Sequence, residues 1–167
     1  GCTILFHMKL NEINKENIPA YVTHVTETLL NKGFEAYIVG GCVRDLVLGR
    51  EPKDWDVTTN ALPEQVQAIF EKTVYENLFG TVAVCFPAKE IETVSSNTQI
   101  EGEKYDIVEV TTYRKESGYS DNRHPDSITF SKTIEEDLER RDFTMNALAF
   151  DISKGHLKDI YGGLKDI

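Results

Sequence analysis

The spacing of apolar residues along the chain predicts both helices and strands. Four apolar residues at near-helical spacing predict a first helix that follows Pro19 and ends at Gly33: Val22, Val25, Leu29 and Leu30. Runs rich in β-branched and aromatic residues predict strands at 35–39, 54–58, 73–76, 81–86 and 105–113. Further helices are predicted at 42–48, from a cap at Asn60 to about Phe70, and after a capping box at 133–136. Residues 151–159 predict a hairpin.

Two polar segments interrupt this pattern. Residues 87–104 predict an exposed loop or a frayed hairpin end, and residues 114–125 predict a loop beside a site. The order of the elements excludes a simple doubly wound sheet. We therefore predict an α/β (α+β) domain with a mixed, mostly antiparallel sheet of about five strands and flanking helices.

The first candidate site is the glycine pair after the strand at 35–39. Gly40 and Gly41 predict a tight turn into a short helix, where free backbone N–H groups can meet a phosphate and Arg44 can add positive charge. The alternative is an ordinary strand-to-helix turn with a solvated Arg44, because short glycine motifs occur often by chance.

The second candidate site is a carboxylate pair. Asp54 and Asp56 are two residues apart in a predicted strand, so both point to one face while Trp55 points to the other. This arrangement suits a divalent metal, although acidic pairs are also common at solvated strand edges. Glu109 lies among residues that favour burial, which requires either a metal or a basic partner for its carboxylate.

The third candidate site is the polar sequence 140–148. Arg141, Asp142 and Asn146 either belong to a solvated helix end or hold the triphosphate and ribose of a nucleotide.

Composition changes this picture little. The net charge of −10 argues against a nucleic-acid-binding surface on this chain. The three cysteines and four histidines lack the spacing of a structural zinc site or a disulfide framework. No apolar segment is long enough to span a membrane, and no signal segment is evident, so we predict a soluble, cytoplasmic protein.

Three motifs occur in a specific order: G-G-C-V-R-D-L-V-L-G at 40–49, D-W-D at 54–56, and R-R-D-F-T-M-N-A-L-A at 140–149. In this order they resemble the head domain of class II tRNA nucleotidyltransferases, a family that contains CCA-adding, CC-adding and A-adding enzymes and bacterial poly(A) polymerase. The resemblance covers residues 18–167, nearly the whole chain. It implies a head domain at 9–155 and the start of a neck at 156–167. Residues 1–8 continue into no pattern, and with Met8 as a possible start they are interpreted as leader or cloning residues.

The resemblance also implies roles for individual residues. Asp54 and Asp56 would be the catalytic carboxylates and the ligands of Mg²⁺, with Glu109 or its competitor Asp106 as a third acidic residue. The nucleotide-binding residues would be Gly41, Arg44 and Arg141 at the phosphates, Asp142 at the ribose and Asn146 in support.

The function implied by the resemblance is metal-dependent addition of CMP and AMP, from CTP and ATP, to the tRNA 3′ end. The alternatives are a poly(A) polymerase or a CC-adding or A-adding relative, and, less favoured, a nucleotide-binding module without catalysis. The family's base-selecting neck motif and basic RNA-binding domains would follow residue 167, which reconciles the acidic net charge with an RNA substrate.

Overall fold

The computed structural model describes residues 13–76, 79–88, 98–100, 103–117, 127–141 and 146–166. Its α-helices are α1 (Ala20–Asn31), α2 (Gly41–Val47), α3 (Pro63–Ile69) and α4 (Ile134–Glu139), with short 3₁₀ helices at Lys15–Asn17 and Gly163–Asp166. Its strands are β1 (Ala36–Val39), β2 (Trp55–Thr59), β3 (Thr73–Tyr75), β4 (Thr81–Pro87), β5 (Thr98–Ile100), β6 (Glu103–Thr112), β7 (Arg114–Ser117), β8 (Ser127–Phe130), β9 (Leu148–Asp151) and β10 (His156–Asp159).

The main sheet is mixed and mostly antiparallel, as predicted. Seven strands lie side by side in the order β10-β9-β1-β2-β6-β4-β3, and the short β5 also pairs with β6. Among these pairs only β2 and β6 run parallel. The prediction of about five strands was therefore wrong, because the hairpin predicted at 151–159 begins at Leu148 and adds β9 and β10 to the edge of β1. The predicted head boundary at residue 155 falls inside this hairpin, and the sheet continues to Asp159.

The two faces of the sheet carry different cores. The larger core packs α1, α2 and α3 against one face through buried residues such as Val25, Leu29, Val43 and Val66. On the other face a smaller cluster joins Ile134 and Leu138 of α4 to strand residues that include Val39 and Ala149. Because side chains alternate along a strand, neighbouring residues such as Ile38 and Val39 serve different cores.

The segment after β6 differs from its prediction as a loop. Arg114–Ser117 and Ser127–Phe130 form a separate two-stranded antiparallel sheet, β7 and β8. Arg114 forms an ion pair with Glu116 at 2.9 Å, so charged side chains contribute to a strand that shows no apolar alternation. Within the described residues, no helix has the length and apolar content needed to cross a membrane.

Candidate functional site

The Gly40-Gly41 turn brings three parts of the chain together. Gly40 has φ of 79° and ψ of −144°, a conformation that residues with a Cβ rarely adopt. A Cβ placed on Gly40 would lie 3.7 Å from Arg141 Nη1 and 3.8 Å from Asp56 Oδ2. The turn therefore lies directly beside a guanidinium and a carboxylate that are 85 residues apart in sequence.

Arg44 folds back over the start of α2. A Cβ on Gly41 would lie 3.4 Å from Arg44 Nη2, so the missing side chain leaves room for the guanidinium. Arg44 Nη1 donates a hydrogen bond of 3.4 Å to Asn146 Oδ1. The structure thus brings together Gly41, Arg44 and Asn146, which the sequence placed in one site.

The carboxylate pair lies at the start of β2. Asp56 is half-buried on this strand, and Asp54 is exposed just before it. Trp55 points into the larger core and is 4% exposed, which confirms the predicted alternation. Burial raises the pKa of Asp56, the positive charge of Arg141 opposes this effect, and the negative charge of Asp54 adds to it.

Glu109, rather than Asp106, faces this pair. In the parallel ladder Asp56 is the register partner of Glu109, so the two carboxyl groups lie side by side on one face of the sheet. Burial and the negative charges of Asp56, Glu76 and Asp54 raise the pKa of Glu109 to about 7. Asp106 lies three residues before Glu109 on β6, so its side chain points to the opposite face of the sheet. There burial, and after it the negative charge of Asp106, raises the pKa of Tyr21.

Arg141 is held by a residue that the sequence analysis did not single out. Its Nη2 lies 3.4 Å from Oδ2 of Asp137, which is completely buried in α4. The only signal in the sequence is the i, i+4 spacing of the two residues near a helix end. Asp142, the proposed ribose contact, lies outside the described residues. Glu76 was also missed, and its charge reaches Asp56 and Glu109 from the end of β3.

A cleft of about 420 Å³ opens beside the turn. Its size falls in the range of small-molecule sites. The cleft is lined by Gly41 and Cys42 and by seven charged residues of α2, the following loop and the carboxylate pair. These charged residues are Arg44, Asp45, Arg50, Glu51, Lys53, Asp54 and Asp56. The predicted metal-ligand and phosphate-contact residues thus share one cavity, with Arg141 next to Asp56 behind the turn.

The residues present fit a magnesium ion bound together with a nucleotide. Mg²⁺ usually takes one or two protein carboxylates and fills its remaining positions with water and substrate phosphates. Asp54 and Asp56 offer two carboxylates. Burial, and after it the negative charge of neighbouring acidic groups, raises the pKa of Asp56 and of Glu109, and a divalent cation would favour their ionised forms. Within the described ranges, no three His, Cys, Asp or Glu side chains form a metal cage by themselves.

Comparisons with known proteins show the family and the fold of the chain. A family model described as the poly A polymerase head domain matches residues 36–167. The CCA-adding enzyme of Lactobacillus helveticus (strain DPC 4571) is 45% identical over 144 residues, which are 86% of this chain and 32% of that protein.

Two solved structures share the fold. The Bacillus stearothermophilus CCA-adding enzyme in complex with CTP aligns at a TM-score of 0.65 and 40% identity, over 85% of this chain and 29% of that one. A tRNA nucleotidyltransferase complexed with a primer tRNA and an incoming ATP analog aligns at a TM-score of 0.54 and 28% identity, over 85% of this chain and 36% of that one.

The matches in sequence and in fold define a nucleotidyltransferase-type head domain. The chain belongs to the poly A polymerase head domain family, and its relatives in that family include CCA-adding enzymes. It spans about a third of the length of the curated relatives it matches.

Proposed function

We propose that this chain is the catalytic head of a metal-dependent tRNA nucleotidyltransferase that adds CMP and AMP, from CTP and ATP, to the tRNA 3′ end. The observation that carries the proposal is the Gly40 turn, where a Cβ would lie within 4 Å of both a carboxylate oxygen of Asp56 and the guanidinium of Arg141. Nucleotidyl transfer requires this combination, because a negatively charged triphosphate must be held beside the carboxylates that bind its metal.

The chain's residues would divide this work as follows. Asp54 and Asp56 would hold Mg²⁺, which when bound lowers the pKa of the attacking 3′-hydroxyl and neutralises charge on the triphosphate. Arg44 and Arg141 would contact the phosphates, and the absence of a side chain at Gly41 would let the backbone approach them.

Two further residues complete the proposed nucleotide site. Asn146 would keep Arg44 in place through the hydrogen bond of 3.4 Å between the two side chains. Asp142 would accept a hydrogen bond from the ribose 2′-hydroxyl, a role that rests on the motif alone.

Glu109 would supply the third carboxylate of the site. Its position beside Asp56 in the parallel ladder supports this role, whereas the position of Asp106 on the opposite face does not. A cation near Asp56 favours the ionised form of a neighbouring carboxyl group, so metal binding and release of the Glu109 proton would occur together.

Relatives support the choice of substrates. One structural relative is a CCA-adding enzyme in complex with CTP, and another is a tRNA nucleotidyltransferase complexed with a primer tRNA and an incoming ATP analog. The description of the matching family also keeps poly(A) polymerase as an alternative. CC-adding and A-adding enzymes would use the same head.

Calorimetric titration with ATP and CTP, with and without Mg²⁺, tests the proposal. We expect both nucleotides to bind in a magnesium-dependent manner, and Asp54→Ala to abolish the magnesium-dependent part. Asp106→Ala is the matched control, because it removes the same charged group from the opposite face of the same sheet and should leave binding unchanged. Absence of binding would contradict the proposal, and magnesium-independent binding would favour a nucleotide-binding module without catalysis.

A further inference from the structure

Asp137 is a buried charge with an unusually complete set of partners. Its side chain is 0% exposed, and a carboxylate in that position is costly unless hydrogen bonds and opposite charges compensate it. Oδ1 accepts from the backbone N–H of Arg114 at 3.1 Å and from Arg140 Nε at 3.2 Å. Oδ2 lies 3.3 Å from the Thr58 hydroxyl and 3.4 Å from Arg141 Nη2. Each carboxylate oxygen of Asp137 thus has two donor groups within hydrogen-bond distance.

Thr58 connects this carboxylate to the strand that carries the acidic pair. Thr58 lies two residues after Asp56 on β2, so both side chains point to the same face of the sheet. Because Asp137 contacts both Thr58 and Arg141, it fixes the position of Arg141 relative to the strand that carries Asp56. The hydroxyl of Thr58 is also 3.2 Å from the carbonyl oxygen of Thr111 on the parallel neighbour β6, which limits its rotation.

The arginines around Asp137 differ in their carboxylate partners. Arg140 also reaches Glu116 at 3.4 Å, and Arg114 pairs with Glu116 at 2.9 Å. Arg141 has Asp137 as its ion-pair partner, and its buried Nε–H, like that of Arg114, donates to no acceptor within the described part of the chain. Its other terminal nitrogen, Nη1, faces the Gly40 turn beside Asp56.

We propose that Asp137 is a positioning residue that orients Arg141 toward the phosphates of the incoming nucleoside triphosphate. This inference rests on the proposed function, because it assumes that Arg141 contacts the triphosphate. Asp137 touches no substrate itself. It holds one edge of the guanidinium, so that the opposite edge faces the turn and the carboxylate pair.

An amide at position 137 would disrupt this arrangement with almost no change in side-chain volume. In the variant Asp137→Asn, an NH₂ group replaces one carboxylate oxygen and presents donors to the arginine donor on that side, and the compensating negative charge is lost for both arginines. Arg141 would then be free to leave its orientation. A charge-assisted hydrogen bond contributes enough that losing it should weaken ATP and CTP binding by about tenfold to a hundredfold.

The decisive test is a double-mutant cycle measured by calorimetry with Mg²⁺ and ATP. Wild type, Asp137→Asn, Arg141→Ala and the double variant are compared. If Asp137 acts through Arg141, Asp137→Asn weakens binding in the wild-type background and has no further effect in the Arg141→Ala background. A merely structural role would weaken binding in both backgrounds, and this result would overturn the proposal.

Two additional variants keep the test decisive. Glu135→Gln removes the same charge from the same helix, where Glu135 is paired on the surface with Lys158 at 2.6 Å, and should leave ATP affinity unchanged. If Asp137→Asn does not fold, as shown by circular dichroism, Thr58→Val takes its place in the cycle. That variant keeps the charge and removes one hydroxyl, so we expect a smaller loss of affinity that again disappears in the Arg141→Ala background.

The outcomes separate this inference from the proposed function. Failure of the wild-type chain to bind ATP would contradict the proposed function, and the inference with it. Normal ATP binding by the wild type and by Asp137→Asn would contradict the inference alone. Equal losses for ATP and CTP are expected in Asp137→Asn, because the phosphates are common to both nucleotides.

Discussion

Glu109 should make the metal-free chain less stable as the pH rises. Its carboxyl pKa is raised from 4.5 to about 7, first by burial and then by the charges of Asp56, Glu76 and Asp54. Below pH 4.5 both the folded and the unfolded chain carry this proton. Between pH 4.5 and about 7 only the folded chain keeps it, so stability falls as the pH rises, and above pH 7 the full penalty remains.

The size of this effect follows from the shift and from the exposure of the side chain. Each tenfold change in proton affinity is worth about 1.4 kcal/mol. Glu109 is nevertheless among the exposed residues, so solvent screens its charge, and we therefore expect a penalty of only about 1 kcal/mol at pH 8.5. Glu109→Gln should remove this penalty and gain about 1 kcal/mol relative to wild type between pH 5.0 and pH 8.5.

Urea unfolding in buffers with EDTA measures this difference. The free energies of unfolding of wild type and Glu109→Gln are compared at pH 5.0 and at pH 8.5. Glu64→Gln, which removes an exposed carboxylate from α3 on the other face of the sheet, controls for the change in net charge. If Glu109→Gln differs from wild type by the same amount at both pH values, the assignment of a protonated Glu109 beside Asp56 is incorrect.

Three further substitutions test the fold and the turn. Gly40→Ala should lower the free energy of unfolding in urea by about 1–3 kcal/mol, since a φ of 79° is strained for alanine. It should also weaken magnesium-dependent ATP binding, and unchanged values of both quantities would refute the role of the turn. Leu29→Ala should lower the free energy of unfolding by about 2–5 kcal/mol, because the leucine side chain is completely buried. A much smaller loss of stability would show that Leu29 does not belong to the core. Thr133→Ala should cost about 0.5–2 kcal/mol by removing the cap that accepts from Glu136 N at 3.3 Å, and equal melting temperatures would show that this cap does not stabilise α4.

The local parts of the site were predictable from the sequence. The strand before Gly40, the turn and the short helix that follows depend on apolar spacing and on glycine, both of which act over a few residues. The alternation at Asp54, Trp55 and Asp56 is equally local, and the burial of Trp55 confirms it. The predicted helix cap at Asn60 shows the limit of this reasoning. Its side chain instead accepts a hydrogen bond from the backbone N–H of Glu35 at 2.7 Å, and α3 begins at Pro63 after Leu62.

The parts that depend on distant pairing were not predictable. Nothing in the sequence of β9 shows that it lies against β1, more than a hundred residues earlier. The strand β7 escaped prediction because its residues are charged, and its ion pairs become visible only when α4 brings Arg140 within 3.4 Å of Glu116. Asp137 was overlooked because it follows Glu135 and Glu136, and a run of three acidic residues is typical of a solvated first turn.

The acidic net charge of the chain also gave little information about the local charge at the site. The cleft beside the turn is lined by three cationic and four anionic side chains: Arg44, Arg50, Lys53, Asp45, Glu51, Asp54 and Asp56. Taken alone, this balance would repel a triphosphate, but a single divalent cation at the carboxylate pair reverses its sign. Arg141, whose partner Asp137 is already shared with Arg140, adds positive charge on the far side of the turn. Binding of a nucleotide should therefore require the metal even though several basic residues surround the cleft, and this is why magnesium dependence, more than affinity, distinguishes a working head from a simple anion site.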